Sequence, residues 1–75
     1  MSAEIDLLFL NGVLVWIGWD SDRTVYKERN RLIDQYGVVR NGTSETIYED
    51  GFCVGVRYFS TNKVMEHKWR CLRIL

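Results

Sequence analysis

An Asn11-Gly12 pair between two apolar runs, residues 5–10 and 13–19, constrains the fold of this chain more than any other feature. A type I′ turn needs a positive φ at both central residues, which asparagine and glycine adopt readily, so the segment predicts a two-residue β-hairpin. The turn predicts these cross-strand pairs: Leu10 with Val13, Phe9 with Leu14, Leu8 with Val15, Leu7 with Trp16, and Asp6 with Ile17.

Both faces of this predicted hairpin are apolar. An antiparallel ribbon in a small protein normally has one apolar face and one polar face. A chain of 75 residues must therefore cover both faces of the hairpin or offer one of them to a partner. We expect an interaction surface here, and tryptophan, tyrosine and arginine are the residues that anchor interfaces. The candidate interface residues are Leu8, Trp16, Trp19, Tyr26 and Arg29.

Length and composition predict one folded domain over residues 1–75, since 47% of the chain is hydrophobic. Ten basic residues balance ten acidic ones, so no net charge attracts the protein to nucleic acid or to an anionic membrane. The N-terminus lacks the basic segment of a secretory leader. The apolar run that ends at Trp19 is shorter than the about 20 residues that span a bilayer. We expect a cytoplasmic protein without a membrane partner.

Residues 20–36 have helical periodicity, because Val25, Leu32, Ile33 and Tyr36 fall on one stripe together with Tyr26. Polar side chains before this stripe, from Asp20, Ser21 and Asp22, predict the N-cap. Gly37 is placed to end the helix in a left-handed conformation.

Two further dipeptides, Asn41-Gly42 and Asp50-Gly51, predict tight hairpins in the second half of the chain. The second turn would pair Tyr48 with Cys53, Ile47 with Val54 and Glu45 with Val56. Residues 63–75 fit either a strand or a helix. We favour the strand, because Thr61-Asn62 would turn it back onto residues 52–60.

These elements predict an α+β fold in which a hairpin, one helix and a three-stranded meander form a small antiparallel sheet with the helix packed on it. Residues 37–75 also resemble an SH3-type small barrel, through Tyr36-Gly37-Val38-Val39, Gly55-Val56-Arg57-Tyr58-Phe59, Trp69 and Leu72. This resemblance implies a partly open barrel, a fold shared by unrelated functions.

Arg29 falls inside the apolar stripe of the predicted helix. An arginine in that position snorkels to solvent, pairs with a carboxylate of the sheet, or reaches a ligand such as a phosphate.

A second set of residues predicts a basic sheet face with interleaved aromatic rings. Such faces bind single-stranded nucleic acid through backbone charge and base stacking. In the expected register Arg57 faces Glu66, which neutralises part of the charge, while Lys68 and Arg70 lie opposite Gly55 and Cys53. The candidate residues are Tyr48, Arg57, Phe59, Lys68, Arg70 and Arg73.

The sequence predicts no enzyme, metal site or cofactor. Only Cys53, His67 and Cys71 resemble metal ligands, and on a strand His67 and Cys71 would lie about 13 Å apart. Zinc ligands lie within about 2.3 Å of the ion, so these two side chains could not share one. The two cysteines are expected on opposite faces and unpaired. No base lies beside a nucleophile, and no glycine loop is placed to bind phosphate.

Two hypotheses follow. The first is a small protein-interaction module, an inhibitor or adaptor comparable in size and build to phage and mobile-element proteins, that binds another protein or its own copy through the hairpin. The alternative is a nucleic-acid-binding small barrel that uses the basic face.

Overall fold

The structure is a computed structural model that describes residues 2–19 and 23–73, with the side chains of residues 3–19, 23–38 and 43–71. Five strands and one helix follow one another in the order β1, β2, α1, β3, β4, β5. Their bounds are β1 Ser2–Leu10, β2 Val13–Trp19, α1 Thr24–Tyr36, β3 Val39–Glu49, β4 Phe52–Phe59 and β5 Val64–Arg73. The α+β class is confirmed, and so is the antiparallel sheet with one helix.

The five strands form one sheet in the order β2-β1-β5-β4-β3, and every neighbouring pair is antiparallel. The last strand of the chain therefore lies in the middle, between β1 and β4. No described residue of β2 pairs with β3, so the sheet is open. Residues 37–75 do not form the SH3-like barrel that they resemble, because β5 pairs with β1 along nine residues in place of closing onto β3.

Two of the three predicted glycine turns are confirmed. Asn11 and Gly12 have φ values of 50° and 81°, and Asp50 and Gly51 have 53° and 83°. All four values are positive, as a type I′ turn requires.

The predicted register of the first hairpin holds for two pairs and then fails. Leu10 pairs with Val13 and Phe9 with Leu14, but the next pair is Leu8 with Trp16. Val15 is left unpaired, which is a β-bulge. A one-residue shift moves every later side chain to the other face, so Trp16, and not Val15, shares a face with Leu8.

The second hairpin deviates in the same manner. Tyr48 pairs with Cys53 as predicted, but Ile47 pairs with Gly55, and Val54 is left unpaired. The expected pairs of Ile47 with Val54 and of Glu45 with Val56 are therefore wrong.

The hairpin predicted at Asn41-Gly42 is also wrong, because β3 runs through this dipeptide. Val39 pairs with Phe59 and Ser44 pairs with Tyr58, so residues 40–43 are an irregularity between two successive pairs of one ladder. Pairing with β4 on both sides keeps residues 40–43 within β3, despite the turn propensity of Asn41-Gly42.

The core lies between the helix and one face of the sheet. Val25, Leu32 and Ile33 of α1 are buried as predicted. They pack with four buried residues of the sheet and the segment after the helix, which are Leu8, Val38, Tyr58 and Met65. The helix ends where expected, at Gly37 with φ 67°. It begins at Thr24 after Arg23, and the predicted caps Asp20, Ser21 and Asp22 lie outside the described residues.

Residues 64–73 form a strand, which confirms the favoured alternative for the end of the chain. Arg57 pairs with Glu66 and Gly55 with Lys68, as expected. The β4–β5 ladder stops at Gly55, next to the bulged Val54, and the expected pairing of Cys53 with Arg70 does not form. A bulge bends its strand, which explains why β4 leaves β5 at this point.

Candidate protein interface

The outer edge of β2 is the most apolar exposed part of the described molecule. β2 is the last strand on its side of the sheet and pairs only with β1. Its seven residues, VLVWIGW, include no charged residue. We call its exposed apolar side chains the β2 surface, and they are Val13, Leu14, Val15, Ile17 and Trp19.

The β2 surface continues onto the face of the sheet that the helix does not cover. Ile17 pairs with Leu7, and Trp19 pairs with Ile5, so these four side chains share that face. Ile5 and Leu7 are half-buried, whereas Ile17 is 54% exposed. Charged side chains of β5 border this apolar area, because Leu7 also pairs with Lys68 and Ile5 with Arg70.

Leu8, a predicted interface residue, lies in the core with 0% exposure. The physical reason is that Leu8 lies on the face of β1 that the helix covers, in one core with Val25, Leu32 and Ile33. The bulge at Val15 brings Trp16 opposite Leu8 on this face. Trp16 is half-buried and packs against the same core. Its ring covers Gly18, where a Cβ atom would lie only 2.3 Å from Trp16 Cη2. Of the predicted interface residues on β1 and β2, Trp19 is the one that is exposed.

Tyr26 and Arg29 lie together on α1, next to the sheet. The Arg29 guanidinium is 5.3 Å from the centre of the Tyr26 ring and 5.9 Å from that of Tyr58. It also donates hydrogen bonds to Asn30 Oδ1 and to the Tyr58 hydroxyl. Within the described part of the chain no ion pair joins Arg29 to a carboxylate. Its position in the apolar stripe is explained by contacts with aromatic rings.

A buried polar pair lies beneath this part of the helix. His67 Nε2 is 3.0 Å from Asp6 Oδ1, and the two residues are 3% and 2% exposed. The rings of Tyr26 and Trp69 contact His67 edge-on, with centroids 6.0 Å and 5.2 Å away. Burial lowers the pKa of His67, against the opposing effect of its hydrogen bond to Asp6. A neutral imidazole that donates Nε2–H to the carboxylate fits this arrangement.

The candidate nucleic-acid face is largely occupied by ion pairs. Arg57 is held between Glu66, with an N–O distance of 2.8 Å, and Glu45. Hydrogen bonds to these two carboxylates raise the pKa of Arg57. Arg70 approaches Glu49 at 3.9 Å, and the Lys68 ammonium lies 5.3 Å from the centre of the Phe9 ring.

The remaining candidates for this face are dispersed. Tyr48 is 66% exposed on β3, and Phe59 is half-buried on β4. The side chain of Arg73 lies outside the described residues. The structure therefore does not bring the six candidates together into one continuous basic surface.

A cleft of about 590 Å³ opens where β4 and β5 separate. Cys53 and Cys71 both line it, as free thiols, together with the side chain of Trp69. Glu4 and Glu49 lie at the same cleft with Arg70. Across the described residues no three histidine, cysteine or acidic side chains are placed to hold a metal ion.

Sequence reasoning missed four members of the β2 surface, namely Val13, Leu14, Val15 and Ile17. A signal was present, because β2 contains no charge and no proline, the residues that usually protect an edge strand. This signal could be recognised only by knowing that β2 is an edge strand. The edge position depends on the pairing of β1 with β5, which are far apart in the sequence.

Comparisons with known proteins add no assignment. No protein-family model, no curated protein and no solved structure matches this chain. None of the helices in the described part is long and apolar enough to cross a membrane.

Proposed function

We propose that this protein is a non-enzymatic protein-interaction module whose contact surface is the outer edge of β2. The observation that carries the proposal is an uncharged edge strand on which Val13, Val15 and Ile17 are 63%, 44% and 54% exposed. Exposed apolar edges are pairing sites, because their backbone N–H and C=O groups can extend the ladder into another chain. A module of this kind acts by occupying a strand edge or apolar patch of its partner, as inhibitors and adaptors do.

The opposite edge of the sheet serves as the internal comparison. β3 carries Glu45 and Glu49, and its ladder is interrupted at residues 40–43. Both edge strands contain an irregularity, but charged side chains, which keep an edge strand from pairing with other chains, occur on β3 and not on β2. This contrast supports β2, and not β3, as the binding edge.

The test compares Ile17→Lys with Thr46→Lys, an exposed position of the β3 edge. Each protein is immobilised and used to capture partners from a cell lysate, and its mass in solution is measured in parallel. We expect Ile17→Lys to lose the captured partner or the self-association that the unmodified protein shows, while Thr46→Lys retains it. Equal behaviour of all three proteins in both assays would refute the proposal.

The alternative function, nucleic-acid binding through Lys68, Arg70 and the exposed Tyr48, has less support. Arg57 already has two carboxylate partners, and Arg70 lies near a third. Its test is charge reversal: Lys68→Glu with Arg70→Glu would abolish binding to a fluorescent single-stranded oligonucleotide, and the affinity of the unmodified protein would fall steeply with salt. Absence of salt-dependent binding by the unmodified protein removes this alternative.

A further inference from the structure

We propose that the β2 edge is occupied by the β2 edge of a second copy of this chain, which joins the two sheets into one of ten strands. This inference rests on the proposed function of β2 as a binding edge and specifies the partner. A two-fold axis perpendicular to the sheet would relate the copies, so β2 would run antiparallel to the partner's β2 and both helices would lie on the same face.

Charge is the first argument for a second copy. β2 has no ionisable side chain, so two copies can approach edge to edge without like-charge repulsion or the burial of a charge. The same approach by two β3 edges would bring charged side chains to the seam, among them Glu45 and Glu49, which are 52% and 60% exposed. Of the two sheet edges, β2 is the one that carries no charge.

Closure is the second argument. Pairing of β2 with the partner's β3 would leave a free β2 edge at one end, and further copies would add without limit. Pairing of β2 with the partner's β2 covers both uncharged edges, and the two outer edges of the combined sheet are then the charged β3 strands. A symmetric dimer is therefore the assembly that covers β2 and leaves no β2 edge to which a further copy could add.

The experiment measures mass by light scattering during size exclusion over a wide concentration range. We expect the unmodified protein and Thr46→Lys to form dimers as concentration rises, and Ile17→Lys to stay monomeric with an unchanged circular dichroism spectrum. Monomers at every concentration would overturn the inference but leave the capture assay of the proposed function standing. Dimers that survive Ile17→Lys, or assemblies that keep growing, would overturn it as well.

Cross-linking tests the pairing without a destabilising charge. Cys53→Ser with Cys71→Ser removes the two exposed thiols, and Ile17→Cys or Thr46→Cys is added to this background. Pairing of the two β2 edges brings residue 17 of each copy to the seam and leaves residue 46 of the two copies on opposite outer edges of the combined sheet. A short bis-maleimide should link the Ile17→Cys protein into a dimer and leave the Thr46→Cys protein unlinked. Equal linking of both, or of neither, would contradict the pairing.

Discussion

His67 donates a hydrogen bond from Nε2 to Asp6 Oδ1 over 3.0 Å, at a site where both side chains are almost fully buried. Asp6 lies on β1 and His67 on β5, so the bond connects two strands that are far apart in the sequence. The second oxygen of Asp6, Oδ2, has no hydrogen-bond partner among the described residues. An isolated charge here would be costly, so the two groups depend on each other.

The pH dependence of stability follows from this pair. Burial holds the folded-state pKa of His67 below its ordinary value of 6.5, so the unfolded chain binds a proton more readily. The stabilising contribution of His67 is therefore complete above pH 6.5 and is lost as the pH falls through the folded pKa. We expect the free energy of unfolding, measured with urea, to decrease from pH 7 to about pH 5.5, which lies within the range where histidine side chains titrate. His67→Gln should flatten this slope, and a rise in stability on acidification would contradict the assignment.

Replacing one member of the pair should cost more than replacing both. Asp6→Leu alone leaves His67 buried without its acceptor, and we expect a loss of about 2–4 kcal/mol in unfolding free energy. Asp6→Leu with His67→Met removes both polar groups at once and should recover much of that loss. Urea denaturation of the single and double variants provides the measurement. A double variant that equals the sum of two large single losses would show that packing, and not polarity, dominates at this site.

The assignment of the two faces of the first hairpin can be tested through Leu8 and Leu14. Leu8 is fully buried, so Leu8→Ala should cost about 2–5 kcal/mol through lost burial and a cavity. Leu14, in the same hairpin, is 47% exposed, and Leu14→Ala should cost less than about 1 kcal/mol. Thermal unfolding would give both values. Similar costs at the two positions would contradict the burial of one face and the exposure of the other.

Gly55 is required by the close approach of β4 to β5. A Cβ atom at this position would lie 2.5 Å from the carbonyl oxygen of His67, which is backbone and cannot rotate away. We expect Gly55→Ala to lower the free energy of unfolding by about 1–3 kcal/mol. Cys53→Ala, an exposed position on the same strand, is the matched control and should have little effect. Urea denaturation distinguishes the two variants.

Local chemistry was sufficient to predict two of the three turns and the helix, and to favour a strand over a helix at residues 64–73. Asn11-Gly12 and Asp50-Gly51 formed turns because the segments on either side could pair with each other. Asn41-Gly42 has the same propensity but formed no turn, since β3 is held along β4 on both sides of it. The propensity of a dipeptide therefore decided the structure only where tertiary pairing agreed with it.

The candidate interface was predictable only in part, for a different reason. Its location on the hairpin was predicted from the excess of apolar side chains, and Trp19, one of the candidate interface residues, is exposed. Leu8 is buried because the helix covers its face of β1, and the bulge at Val15 puts Trp16 on that face and Ile17 on the uncovered one. No local pattern in the sequence marks either feature. The position of β2 at the sheet edge follows from the pairing of β1 with β5, which no local pattern reveals.

The two bulges give each hairpin one residue that its ladder does not use. Val15 follows Gly12 by three positions, and Val54 follows Gly51 by the same interval. Deleting either valine from the gene would leave the cross-strand partners on both sides unchanged and in phase. Both hairpins thus contain a position where the chain can lose one residue while the sheet keeps its pattern, which makes Val15 and Val54 the natural sites for single-residue deletions in this fold.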